Sequence, residues 1–73
     1  MDYHVCFYEN GIFSTLVGGP VPTLDEAIKQ MEKLATGLKA EEVPGCLGYK
    51  FDRAGTTCSL VVTDTFGFPI KDA

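Results

Sequence analysis

The chain lacks most of the features on which common function classes depend. It has 73 residues, with three cysteines, one histidine, no tryptophan and only six lysine or arginine side chains. No apolar run approaches the roughly 18 to 20 residues of a membrane-spanning helix, which argues against a membrane protein. Residues 1–4 show neither the basic start nor the apolar stretch of a secretory signal. We therefore expect one small cytoplasmic domain.

Positive charge is scarce, and this argues against nucleic-acid binding. Ten acidic residues outweigh six basic ones, for a formal net charge of −4. A nucleic-acid-binding domain usually clusters its basic residues so that they displace counterions from phosphates. Here they are scattered: Lys29, Lys33, Lys39, Lys50, Arg53 and Lys71. The acidic balance favours solubility, and the alternative is an acidic surface that meets a basic partner protein.

The cysteines do not form a recognisable disulfide or metal motif. Cys6, Cys46 and Cys58 are odd in number and include no C-x-x-C pair, so we expect three free thiols, some of them in the core. The alternative is a zinc site that adds His4 to the three cysteines. Zinc needs four ligands that converge, and neither the H-x-C spacing nor the two isolated cysteines indicates that they do.

No residue pattern points to catalysis or to a cofactor. His4 and Cys6 could touch on one strand face, but no residue is placed to orient the imidazole. Gly18-Gly19 precedes a helix, where anions can bind, yet Pro20 and Pro22 remove two amide donors. Two carboxylate pairs show no pocket-forming pattern: Asp25 with Glu26, and Glu41 with Glu42. We therefore expect a protein that is not an enzyme and holds no metal or cofactor.

One amphipathic helix is predicted from Thr23 to about Thr36. Thr23 is a natural N-cap, Glu26 completes a capping box, and Gly37 is the expected stop. Apolar residues recur at three- and four-residue steps on one face: Leu24, Ala27, Ile28, Met31, Leu34 and Ala35. A helix of this kind buries one side against a sheet.

Four segments rich in β-formers predict strands: Tyr3–Tyr8, Ile12–Val17, Leu47–Asp52 and Thr57–Thr63. Gly18–Pro22 is expected to break the second strand, and residues 38–45 are expected to form a loop. Because Leu60-Val61-Val62 is apolar on both faces, the fourth strand should be central.

The first hairpin has two candidate registers. Asn10-Gly11 is a strong two-residue turn signal, and a type I′ loop would place Glu9 opposite Ile12. A three-residue loop with a bulge at Gly11 would instead place Phe7 opposite Phe13. The second register pairs two aromatic rings across the strands, so we favour it.

These elements predict an α+β fold of order ββαββ. It has two layers, with a four-stranded antiparallel sheet and one helix on one face. Residues 1–73 form a single small domain in which 65–73 are expected to be a flexible tail. The strand order stays open.

The strands carry more apolar surface than one helix can cover. In the first strand, Tyr3, Val5 and Phe7 face one way, while His4, Cys6 and Tyr8 face the other. The excess must be covered by the 38–46 loop, the tail, a second copy or another protein, because monomers rarely expose large apolar patches. An aromatic sheet face can also stack nucleotide bases, but the acidic charge argues against that. The candidate contact residues are aromatic: Tyr8, Phe13, Tyr49, Phe66 and Phe68.

The sequence therefore favours a small non-enzymatic protein-binding module, a regulator or inhibitor that acts on a larger cytoplasmic protein or a host macromolecular complex. The alternative is a structural homodimer assembled through the sheet, and a metal-binding or nucleic-acid-binding domain is less favoured. Tiny acidic chains without an evident site resemble accessory proteins of phages and mobile elements, although fold and composition alone do not fix a function.

Overall fold

An antiparallel sheet of five strands carries one helix across one of its faces. The computed structural model describes residues 2–71. Its elements are β1 (Tyr3–Glu9), β2 (Ile12–Val21), α1 (Leu24–Ala35), β3 (Glu41–Glu42), β4 (Gly48–Arg53) and β5 (Thr56–Thr63). The strand order in the sheet is β2-β1-β5-β4-β3. No helix in the described residues is long and apolar enough to cross a membrane.

The α+β class is confirmed, but the prediction of four strands in the order ββαββ is wrong. The extra strand is β3, where Glu41 pairs with Lys50 and Glu42 with Tyr49, inside the segment that was predicted to be a loop. It lies at the sheet edge with both side chains exposed. Two adjacent glutamates have little strand propensity, so the pairing with β4 creates this strand.

The central position of β5 is confirmed. It lies between β1 and β4, and Leu60, Val61 and Val62 are all buried. Leu60 and Val62 point to the helix, where they join Val5 and Met31 in the core. Successive residues of a strand alternate between faces, so Val61 points to the side without a helix.

The helix begins and ends where its capping signals predict. Thr23 adopts an extended backbone, and its hydroxyl accepts a 3.3 Å hydrogen bond from the Glu26 amide. Ala27 and Met31 are buried against the sheet. Gly37 follows the helix with φ of 85°, a left-handed conformation that favours glycine.

The favoured register of the first hairpin is wrong, and the two-residue loop is the one that forms. Glu9 lies opposite Ile12, and Asn10 and Gly11 have φ of 53° and 78°. Two positive φ values are typical of a type I′ turn, whose twist matches that of the strands. The aromatic cross-strand pair is therefore Tyr8 with Phe13.

The prediction that β2 breaks at Gly18 is also wrong, because the strand continues to Val21. Its ten residues face seven in β1, with three register shifts along the ladder. A Cβ on Gly18 would lie 2.7 Å from the Gln30 side-chain oxygen, which accepts a 3.0 Å hydrogen bond from the Gly19 amide. The glycines thus let β2 approach the helix closely.

The tail, as far as Lys71, adds backbone pairs beside the end of β5. The Ile70 amide donates to Val62 O, and the Leu47 amide donates to Ile70 O, both at 2.9 Å. Ile70 packs against the edge of the core. Of the tail predicted to be flexible, residues 72 and 73 lie outside the described part of the chain.

Candidate protein-binding surface

The sheet face opposite the helix bears an open concavity of about 380 Å³. Strand alternation turns residues 4, 6 and 8 of β1 toward this face, and residues 13 and 16 of β2 pair beside them. We call this surface the helix-free patch, and it is lined by His4, Cys6, Tyr8, Phe13, Leu16, Thr63, Asp64, Thr65, Phe66 and Gly67.

The floor of the helix-free patch is buried. Cys6 Sγ and Thr63 Oγ1 lie 3.4 Å apart, and the Thr63 hydroxyl also lies 3.1 Å from the Asp64 carbonyl oxygen, to which it donates. His4 Nδ1 is buried without a hydrogen-bond partner among the described residues, and a Cβ on Gly19 would lie 3.3 Å from it. That nitrogen therefore faces the β2 backbone. The recorded partner of the Cys6 thiol is Thr63, not His4.

Two rings and one aliphatic side chain form the wall on the β2 side. Tyr8 and Phe13 meet edge to face, with centroids 6.0 Å apart and ring planes at 83°. Phe13 is 52% exposed and Leu16 is 54% exposed. Burial raises the pKa of the Tyr8 phenol above its ordinary value, and the nearby Cys6 and Cys46 thiols raise it further. The wall is therefore apolar, with a neutral phenol at its base.

Phe66 stands on the opposite rim, on a loop held by Asp64. One Asp64 carboxylate oxygen accepts hydrogen bonds from the backbone amides of Phe66 (2.9 Å) and Phe68 (3.0 Å). The Asp64 amide donates to Phe68 O at 2.9 Å, and the Gly67 amide donates to Asp64 O at 3.1 Å. The Phe66 side chain is 82% exposed on this bonded loop. A ring presented in a fixed position loses less entropy when a partner buries it.

The structure brings together three of the five predicted contact residues. Tyr8, Phe13 and Phe66 all line the helix-free patch. Phe68 is exposed in the same loop but lies outside the concavity, while Tyr49 packs against the core on the helix side. Leu16 and Asp64 were missed. Asp64 carried a signal, because an aspartate that starts a turn often binds backbone amides two residues on.

Apolar surface is also left open on the helix side. The predicted apolar helix face included Leu34, but this side chain is exposed, as is Leu38 in the following loop. Both line a groove of about 390 Å³, together with Phe7 and Phe51, whose ring centroids are 6.3 Å apart. A helix of 12 residues spans about 18 Å, so it ends before it covers this part of the sheet.

Chemistry in the helix-free patch centres on contact. The three cysteines are free thiols, as predicted, with Cys6 and Cys58 buried and Cys46 half-buried. Among residues 2–71 no group of three or more His, Cys, Asp or Glu side chains could hold a metal ion. The exposed groups of the patch are aromatic and aliphatic, which suits burial against another apolar surface.

Comparisons with protein-family models, with curated proteins and with solved structures each found no match.

Proposed function

We propose that this protein is a small non-enzymatic binding module, which regulates or inhibits a larger cytoplasmic protein by occupying a surface on it. The helix-free patch is the contact surface. The observation that carries the proposal is the Phe66 ring, which is exposed to solvent yet fixed by the hydrogen bonds of Asp64 to its loop. Aromatic side chains of this kind anchor many protein interfaces.

The energetics favour a protein partner for this ring. Full burial of one large apolar side chain contributes about 1.5 to 3 kcal/mol. Phe66 sits beside the Tyr8–Phe13 pair, so a partner could bury several apolar groups at one place. Such clusters near the centre of an interface carry most of its binding energy.

The charges around the patch favour a protein over a nucleic acid. Its lining residues within the described chain include no lysine or arginine. The one carboxylate, Asp64, has an oxygen occupied by two backbone amides. Nucleic-acid surfaces depend on cationic contacts with phosphates, and this patch offers none among its lining residues.

Affinity enrichment tests the proposal when it is run with three variants of the tagged protein in cells that naturally express it. The bait is compared as wild type, Phe66→Ala and Leu38→Ser. Both substitutions remove an exposed apolar side chain, but Leu38 lies on the helix side. We expect at least one larger protein that the wild type and Leu38→Ser enrich equally and that Phe66→Ala loses about tenfold or more, which equals about 1.4 kcal/mol.

Two results would contradict the proposal. One is the absence of any protein whose enrichment depends on Phe66. The other is equal loss with both variants, because a general apolar stickiness would respond to either substitution.

A further inference from the structure

We infer that the free chain pairs with a second copy of itself, face to face, through the helix-free patch. In this pair the Phe66 ring of each copy enters the concavity of the other. The inference uses the surface assigned above but does not depend on a larger partner, because it concerns the free protein.

The patch has the shape that a twofold pair needs. An isologous interface uses one surface on both copies, so that surface must carry both a protruding group and a recess that fits it. Phe66 protrudes at the rim, and the recess of about 380 Å³ lies beside it between Phe66 and the wall of Phe13 and Leu16. One contact and its symmetry mate therefore form together.

The charges permit this contact between two acidic copies. Each chain has a formal net charge of −4, so copies repel one another over most of their surface. The lining of the patch carries only the Asp64 carboxylate, which is already bonded to the Phe66 and Phe68 amides. The patch is thus a surface on which two copies can meet without bringing free carboxylates together.

The two edges of the sheet are less suitable for pairing. At one edge, β2 has three register shifts against β1, and bulges of this kind twist an edge away from a regular ladder. At the other edge, β3 consists of exposed Glu41 and Glu42, so pairing it with itself would face carboxylates against carboxylates. The face, rather than an edge, is left for contact.

The exposed area predicts a weak pair. Phe66 is 82% exposed, and with Phe13 and Leu16 it offers roughly 350 Å² per copy if a large side chain contributes about 200 Å². Two copies would then bury about 700 Å² of this surface, less than the roughly 1,200 Å² of standard specific interfaces. The pair should therefore separate on dilution, and a larger protein that needs Phe66 would compete with it.

The test is a dilution series followed by sedimentation and by amide NMR shifts, from about 20 μM to about 1 mM, the weak end of measurable affinity. Wild-type protein should associate, with shifts concentrated in the patch. Phe66→Ala should weaken association about tenfold or more, and the matched Leu38→Ser should change it less than about twofold.

A mixing experiment separates this geometry from general stickiness. Phe66→Ala keeps the recess but has no ring to insert, while Leu16→Arg keeps the ring but blocks the recess. Neither variant alone can form the contact, but one of each can form it once. Isotope-labelled Phe66→Ala titrated with Leu16→Arg should therefore shift more than either variant at the same total concentration.

Three outcomes would overturn the pairing: a wild-type monomer throughout the series, equal effects of Phe66→Ala and Leu38→Ser, or a mixture that associates no better than its components. None of them bears on a larger protein that requires Phe66, so failure here is distinct from failure of the proposed function.

Discussion

The rings of Tyr8 and Phe13 meet edge to face across the first hairpin, with their centroids 6.0 Å apart. The contact places a phenol against an apolar wall on the face that the helix leaves open. It also ties the type I′ turn at residues 10 and 11 to the helix-free patch, because that turn sets Tyr8 opposite Phe13.

The Tyr8 phenol should make stability fall at high pH. Its pKa in the folded protein is raised above the ordinary value of 10.0, first by burial and then by the Cys6 and Cys46 thiols. Above pH 10 the unfolded chain loses this proton while the folded chain retains it, so the contribution present below pH 10 is lost as pH rises through the folded pKa. The measurement is the free energy of unfolding in urea from pH 8 to pH 11.

The matched variant for this prediction is Tyr8→Phe, which keeps the ring and removes the titrating group. Other groups also ionise in this range, so the informative quantity is the difference between wild type and variant. That difference should decline above pH 10. A difference that is flat or that rises with pH would show that the phenol is not held neutral by its surroundings.

Loss of the Asp64 carboxylate should loosen the Phe66 loop. Asp64→Ala removes the acceptor of two backbone hydrogen bonds, and we expect a loss of about 1 to 2 kcal/mol of stability with faster amide exchange at Phe66 and Phe68. Asp64→Asn retains an acceptor oxygen and should lose less. Asp2→Ala, at an exposed position, is the control. Unchanged exchange at both amides in Asp64→Ala would contradict the role given to this side chain.

Gly19 and Gly37 form a matched pair for the close approach of β2 to β1. Both have φ of 85°, so alanine costs about 1 to 2 kcal/mol of backbone strain at either position. A Cβ on Gly19 would lie 2.5 Å from Tyr3 O, whereas nothing lies within 4 Å at Gly37. Gly19→Ala should therefore destabilise by about 1 to 3 kcal/mol more than Gly37→Ala in urea unfolding. Equal losses would refute the close approach.

The helix was predictable because its signals are local. Thr23, Glu26 and Gly37 act through bonds and angles within a few residues, and the apolar period fixes which side is buried. The hairpin register was also encoded locally, in Asn10-Gly11. A preference for pairing Phe7 with Phe13 is worth only about 0.2 to 1 kcal/mol, and the turn geometry prevailed over it.

The remaining features depend on contacts that are distant in sequence. β3 exists because Glu41 and Glu42 meet β4, and nothing within the two glutamates predicts a strand. Alternation shows that Tyr49 and Lys50 face opposite ways, but it does not tell which side the helix covers. For that reason Tyr49 was assigned to the contact set although it lies against the core.

The three thiols should differ in reactivity toward an aromatic disulfide reagent. Cys46 is half-buried, whereas Cys6 and Cys58 are buried. One thiol should react rapidly in the native protein, and the other two should react only as the chain opens or in denaturant. Cys46→Ser should abolish the rapid phase. A rapid phase that persists in this variant would show that a buried thiol is accessible.

The most direct measurement places a photo-crosslinking phenylalanine analogue at position 66 and, separately, at position 38, in cells that naturally express the chain. Both side chains are exposed, but only Phe66 lines the helix-free patch. Position 66 is predicted to give a discrete crosslink to a larger protein, separate from any product between two copies, and position 38 is predicted to give none. The same crosslinks from both positions, or none from position 66, would contradict a binding role for this face.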